Sequence, residues 1–141
     1  SIRMAITAAE TGHLVISTLH TSDSVQSIDR IIDVFPPFQQ PQVRTQLSLT
    51  LQGIISQQLI PKKDGKGLVL AYEVLIANPA VRNIIRKGGT QDIYSMIEIG
   101  KQSGMKSMDS SLQDLFSQGL ITKEDALTYA LNQERMSKLL G

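Results

Sequence analysis

His13 and His20 are the only histidines in the chain, and they frame an apolar run, Leu14-Val15-Ile16-Ser17-Thr18-Leu19. Imidazole is the side chain best suited to metal ligation and to proton transfer near neutral pH. A shared zinc or acid–base site is therefore the sharpest chemistry this pair could support. The spacing is against it. The two lie seven positions apart. On a strand an odd separation puts them on opposite faces, roughly 23 Å apart at ~3.3 Å per residue. On a helix they would share a face but sit about 10 Å apart. No His-Glu-x-x-His spacing is present, and without cysteine there is no thiolate zinc site, disulfide or cysteine nucleophile. Each histidine is thus weighed singly. One reading has a histidine at each end of a strand, hydrogen-bonded to backbone. The other gives His20 a task. Thr21 and Ser22 follow it at a helix N-terminus, where amide groups attract anions, so a neutral imidazole there could donate to a phosphate or hold a water.

Other reactive side chains read more plainly. Asp29, Arg30 and Asp33 share one helical segment and suit a solvated face with local ion pairs. Glu73 falls in a predicted strand, where a cross-strand ion pair is the default. Arg82 and Arg86 are four apart and make one basic helix face, suited to a partner or to solvent alike. Met96, Met105 and Met108 are expected as core filler. Gly65-Lys66-Gly67 lacks the Gly-x-x-x-x-Gly-Lys-Ser/Thr spacing of a phosphate loop and precedes no helix, so it reads as a turn.

The elements that position these residues follow from periodicity. Ile2, Ile6 and Ala9 give a short helical stripe that Thr11-Gly12 stops. Leu14 to Leu19 is predicted as a strand buried on both faces, as in a parallel sheet. Ser22 and Asp23 open a helix whose stripe is Val25, Ile28, Ile31, Ile32 and Phe35, ended by Pro36-Pro37. A second helix begins near Pro41, with Val43, Leu47, Leu51, Ile54 and Ile55 as its stripe. Extended runs from Ile55 to Ile60 and from Leu68 to Ile76 flank Asp64-Gly65, a hairpin signal. Asn78-Pro79 starts a helix that Gly88-Gly89 stops. Beyond it the pattern is helical: from Thr90, from Asp109 or Ser110, from the capping-box-like Thr122-x-x-Asp125, and over Gln133 to Leu140.

The chain has 141 residues, enough for one domain or two small ones. A net charge of +1 and the lack of any basic run argue against an electrostatic nucleic-acid footprint. No apolar run reaches the ~18 residues of a membrane span. No signal peptide is visible, and the helical pattern already under way at Ser1-Ile2 leads us to expect a piece of a longer protein.

Several separated segments carry a resemblance, in order. Ala8-Ala9-Glu10-Thr11-Gly12-His13-Leu14-Val15, with Ser17-Thr18-Leu19-His20-Thr21, resembles the His box of the type II/type IV secretion ATPase superfamily. The segments Ile28-Asp29-Arg30-Ile31-Ile32-Asp33-Val34-Phe35-Pro36 and Ile55-Ser56-Gln57-Gln58-Leu59 also resemble that superfamily, as further motifs. Ala80-Val81-Arg82-Asn83-Ile84-Ile85-Arg86 is similar to the Ala-Ile-Arg motif of pilus retraction ATPases. Extension and secretion members carry a tetracysteine zinc module after the Gln-Gln-Leu segment. Here Ile60-Pro61-Lys62-Lys63-Asp64-Gly65 stands there, which points to the retraction branch.

The resemblance implies an α/β fold, the C-terminal half of a RecA-like P-loop ATPase domain (strand plus β-hairpin) over residues 1–77. A helical C-terminal subdomain over 78–141 follows. It implies a ring homo-hexamer on the cytoplasmic side of the inner membrane, held there by an inner-membrane pilus platform protein, without membrane insertion or nucleic acid. ATP and Mg²⁺ belong to the full-length protein. By the same resemblance His20 and His13 are catalytic-site histidines, with Thr18 and Thr21 beside the nucleotide. His20 lies towards the γ-phosphate or attacking water, and His13 towards a subunit contact or strand positioning. Ala80, Val81, Arg82, Asn83, Ile84 and Ile85 form the retraction motif, and no metal site is implied. The Walker A loop, the acidic box and the Walker B strand would precede Ser1. The 141 residues alone are therefore expected neither to bind ATP tightly nor to hydrolyse it, and an unpaired Leu14–Leu19 strand is expected to drive association. The alternative is a non-catalytic α/β interaction module of a pilus or secretion system.

Overall fold

A two-stranded antiparallel hairpin carries the only ladder in the computed structural model, which describes all residues from Ser1 to Gly141. Strand β1 (Gly53–Pro61) pairs with β2 (Leu68–Ile76), Gly53 facing Ile76 and Pro61 facing Leu68. The turn forms where Asp64-Gly65 predicts it. The Asp64 carboxylate accepts from the Lys66 amide at 2.7 Å, and Gly65 takes a φ of +75°.

Three helices precede the hairpin: α1 (Ile2–Glu10), α2 (Ser24–Asp33) and α3 (Gln40–Thr50). Five follow it: α4 (Pro79–Lys87), α5 (Ile93–Ile99), α6 (Met108–Ser117), α7 (Lys123–Tyr129) and α8 (Gln133–Leu140). Their starts are chemically marked. Asn78, Ser107, Thr122 and Asn132 each accept, through a side-chain oxygen, from the amide three residues on.

Three boundaries differ from the sequence expectation. Leu14 to Leu19 forms no strand: residues 14–20 make no backbone hydrogen bond, because no neighbouring strand offers a ladder. Helix α3 stops at Thr50, and Ile54 and Ile55 join β1 opposite Leu75 and Val74. A helical stripe and a strand both fit those β-branched residues, and Gly53 decides between them. A Cβ there would lie 2.9 Å from the Leu75 carbonyl oxygen, so glycine lets the strands close. Helix α6 starts at Met108, capped by Ser107, rather than at Asp109 or Ser110.

Two apolar cores flank the hairpin. The larger gathers Ile28, Ile32, Leu47, Leu75, Val81, Ile85 and Ile97, with Met105 inside it and Met96 against it. The smaller gathers Ile60, Ala71, Met108, Leu112, Ile121 and Met136. The three methionines thus serve as core, as expected.

Glu73 lies between the cores and has no solvent exposure. Its cross-strand neighbour is Ser56, so the expected ion pair is absent. Instead Oε1 accepts from the Ser24 amide at 2.9 Å and Oε2 from the Met108 amide at 3.1 Å. Those amides belong to the first residues of α2 and α6, the positive ends of two helix dipoles. Burial raises the carboxyl pKa above its ordinary value, and the two backbone bonds oppose the rise. Replacing Glu73 with Ala orphans two buried amides at about 1–3 kcal/mol each, so urea denaturation should read a loss of about 2–6 kcal/mol. Gln keeps one acceptor oxygen but sets a donor NH2 against the second amide, so it should recover only part of that loss.

Candidate functional site

The stretch with the histidines is anchored at both ends and free between them. At the start, Gly12 takes a φ of +93° and turns the chain off α1. The His13 amide donates to the Ala8 carbonyl at 3.1 Å, and its Nδ1 lies 3.2 Å from the same oxygen and 3.1 Å from Thr11 Oγ1. A carbonyl only accepts, so this contact places a hydrogen on Nδ1. At the far end, Thr21 Oγ1 lies 2.5 Å from Ser27 Oγ, and Ser27 in turn donates to the Asp23 carbonyl at 2.9 Å. Thr21 is thereby the donor of its bond and is tied to the first turn of α2.

Between these anchors the side chains are solvent-facing except Leu19, which is half-buried. Leu14 is 84% and Ile16 85% exposed, far from the two-sided burial the apolar run predicts. Thr18 and His20 are exposed and make no side-chain hydrogen bond. No three of the histidines and carboxylates gather into a set able to hold a metal ion.

The predicted Ala80–Ile85 motif lies on α4. Val81 and Ile85 are fully buried in the larger core, and Ile84 packs against it. Ala80 is exposed. Arg82 is half-buried and donates to the Ser48 carbonyl at 2.8 Å, in the last turn of α3. A cation there complements the negative end of the α3 dipole. Arg86 turns instead to Asn83 Oδ1 at 3.0 Å. The two arginines therefore divide, one holding a neighbouring helix and one facing solvent. Asp29 also differs from expectation: it accepts from Thr90 Oγ1 at 2.9 Å and ties α2 to the turn before α5.

A cleft of about 780 Å³, which the sequence reading missed, lies beside the N-terminus of α2 and is lined in part by Asp23, Glu73, Tyr94, Glu98, Asp109 and Arg135. Asp109 caps the segment before α8, accepting from the Leu131 and Asn132 amides at 2.7 and 3.1 Å. Burial raises its pKa above the usual carboxylate value, with those bonds opposing. Tyr94 donates to Asp23 Oδ1 at 3.3 Å, and burial followed by the Asp23 charge pushes the phenol well above its ordinary value. Arg135 pairs with Glu98 at 3.0 Å. These groups come from distant positions without a shared motif, so only the fold could assemble them. For α4, Arg82→Ala should cost about 1.5–3 kcal/mol in urea denaturation, the range of a hydrogen bond to a charged group, whereas Arg86→Ala should stay within about 0.5 kcal/mol.

Residues 1–128 match the family model described as type II/IV secretion system protein. The chain is 51% identical over 97% of its length to a protein of Neisseria gonorrhoeae named twitching motility protein, and spans 37% of it. It is 49% identical over 89% of its length to the type IV pilus retractation ATPase PilT of Pseudomonas aeruginosa, and spans 36% of that protein. Its structure aligns with the crystal structure of the pilus retraction motor PilT with bound ADP. The TM-score is 0.85 at 47% identity, over 97% of this chain and 38% of that one. The Legionella pneumophila ATPase DotB aligns with a TM-score of 0.73 at 27% identity, over 89% of this chain and 34% of that one.

Proposed function

Since the chain belongs to the type II/IV secretion system protein family, we propose that it is the C-terminal part of a motor ATPase that couples ATP hydrolysis to type IV pilus retraction. The observation that carries this reading is the exposed, unladdered Leu14–His20 segment, held only at Thr11–His13 and Thr21. Seven consecutive residues whose backbone groups bond to nothing else in the chain are free to pair with a neighbouring segment. The outer face of the hairpin supports the same reading. Ile55, Leu59, Leu68, Leu70 and Tyr72 are exposed on it, where a solvated hairpin would carry polar residues. Relatives named as retraction ATPases are nearly three times as long as the aligned stretch, so they contain chain enough to cover both surfaces.

In this reading residues 1–77 complete the ATPase core and 78–141 form its helical subdomain, in keeping with the helices that follow β2. ATP with Mg²⁺ is the substrate, and a ring homo-hexamer is the working assembly. An inner-membrane pilus platform protein is the partner that places it at the membrane; no helix is itself long and apolar enough to cross one. The chain's own residues offer donors but no triphosphate cradle, because Gly65-Lys66 lies in the hairpin turn. The 141 residues alone should therefore show no ATPase activity. His20 and Thr18 present unpartnered polar groups that fit a γ-phosphate or the attacking water. His13 and Thr21 fix the segment's ends. The Ala80–Ile85 motif serves retraction through Arg82, which holds α4 to α3. Losing one positioned hydrogen-bond donor at a reacting phosphate costs about 10²–10³ in kcat. His20→Ala in the full-length protein should lower kcat by that factor with little change in melting temperature, since the side chain is exposed and makes no hydrogen bond. Unchanged turnover would remove His20 from the reaction.

A further inference from the structure

The unbonded run that carries His20 ends at a single close contact. Residues 14–20 make no backbone hydrogen bond, and the first side-chain bond after His13 is that of Thr21. Thr21 Oγ1 lies 2.5 Å from Ser27 Oγ, and Ser27 Oγ lies 2.9 Å from the Asp23 carbonyl oxygen, four residues back on its own helix. A carbonyl only accepts, so the one hydroxyl hydrogen of Ser27 is spent there, and the hydroxyl hydrogen of Thr21 is spent on Ser27. The bond back to Asp23 also fixes the Ser27 rotamer, so the lone pair offered to Thr21 keeps one direction. Ser27 is 3% exposed, on a helix whose Val25 and Ile28 are buried as well. Alanine is the better helix former, so α2 itself has no need of this hydroxyl, and its partner outside the helix is Thr21. The nearest substitute, Ser22 Oγ to Gln26 Oε1, is exposed and long at 3.4 Å.

We infer that Ser27 is a positioning residue for the reaction: through Thr21 it sets where the adjacent His20 presents its imidazole, and Thr21 serves as the anchor of that residue rather than as a donor to phosphate. The inference rests on the ATPase reading above and adds to it a buried side chain that never meets the nucleotide. A hydroxyl whose hydrogen is committed offers an anion only lone pairs, so Thr21 cannot hold Ser27 and donate to a phosphate oxygen at once. One peptide link joins it to His20, so a Thr21 side chain released from Ser27 lets residue 20 swing. A displacement of about 1 Å at a reacting group can cost about 10²-fold in rate.

The test is steady-state ATPase kinetics of the full-length protein in double-mutant cycles. Ser27→Ala should lower kcat about tenfold, with KM for ATP changed less than about twofold and the melting temperature within about 3 °C. Thr21→Val deletes the other end of the same bond at nearly constant size. It should give the same loss, and the two substitutions together no more than either alone. Ser27→Thr, which keeps the hydroxyl, should hold kcat within about twofold of the unsubstituted protein. In a His20→Ala background Ser27→Ala should cost less than about twofold, because the group it positions is gone, whereas a general loss of structure would cost the same in both backgrounds. A loss of about tenfold that persists without His20 overturns the inference. So does a loss in Thr21→Val well beyond that in Ser27→Ala, which would make Thr21 a phosphate donor in its own right. Turnover indifferent to His20→Ala defeats the ATPase reading of this segment and the Ser27 inference with it. A full His20→Ala effect beside indifferent Ser27→Ala and Thr21→Val defeats the Ser27 inference alone.

Discussion

A carboxylate with no access to water holds two helices by their first amides. Glu73 occupies the middle of three inward positions on β2: Ala71 enters the smaller core, Leu75 the larger, and Glu73 the seam between them. An unpaired charge buried there would cost several kcal/mol. Two charge-assisted bonds from the positive ends of α2 and α6 make the position tenable. The hairpin supports the arrangement from the other side. Val74 and Lys106 exchange backbone bonds at 2.8 and 3.1 Å, and Ser111 Oγ accepts from the Tyr72 amide, so the start of α6 is pinned over β2. Hairpin, α2 and α6 are thereby locked to one another around a single side chain.

That lock reaches the histidine segment. Thr21 is tied to Ser27, Ser27 to the Asp23 carbonyl, and the next amide, of Ser24, to Glu73. His20 itself makes no hydrogen bond, yet the residue after it is positioned through α2 by the buried hairpin. A rigid anchor beside a free segment is a sound way to present polar groups to a substrate or neighbour supplied from elsewhere. The same helix start also contributes Asp23 to the acidic cleft, so one N-terminus frames two different surfaces.

Local chemistry was legible in the sequence. Asn78-Pro79 and Thr122-x-x-Asp125 mark helix starts through caps that need only three neighbouring residues, and Asp64-Gly65 marks the hairpin turn. What was not legible depends on partners far away in the chain. Glu73 bonds amides 49 and 35 positions distant, so nothing beside it in sequence distinguishes it from a surface strand glutamate. The apolar Leu14–Leu19 run signals a preference for burial, but a strand exists only where a second strand completes its bonds. Ile54 and Ile55 satisfy both periods, and the close approach of Gly53 to Leu75 is a tertiary fact. The acidic cleft likewise exists only once α2, α5 and the Ala130–Asn132 segment have met.

The most direct test of the Glu73 account is the titration of its side-chain carboxyl, followed by ¹³C NMR in the intact protein. An ordinary glutamate titrates near ~4.3. Desolvation is the dominant influence on Glu73, so its midpoint should lie above that value, and protonation should shift the Ser24 and Met108 amide resonances together. A midpoint at or below the ordinary value, with those two amides indifferent to it, would mean the carboxylate is solvated and does not join the two helices.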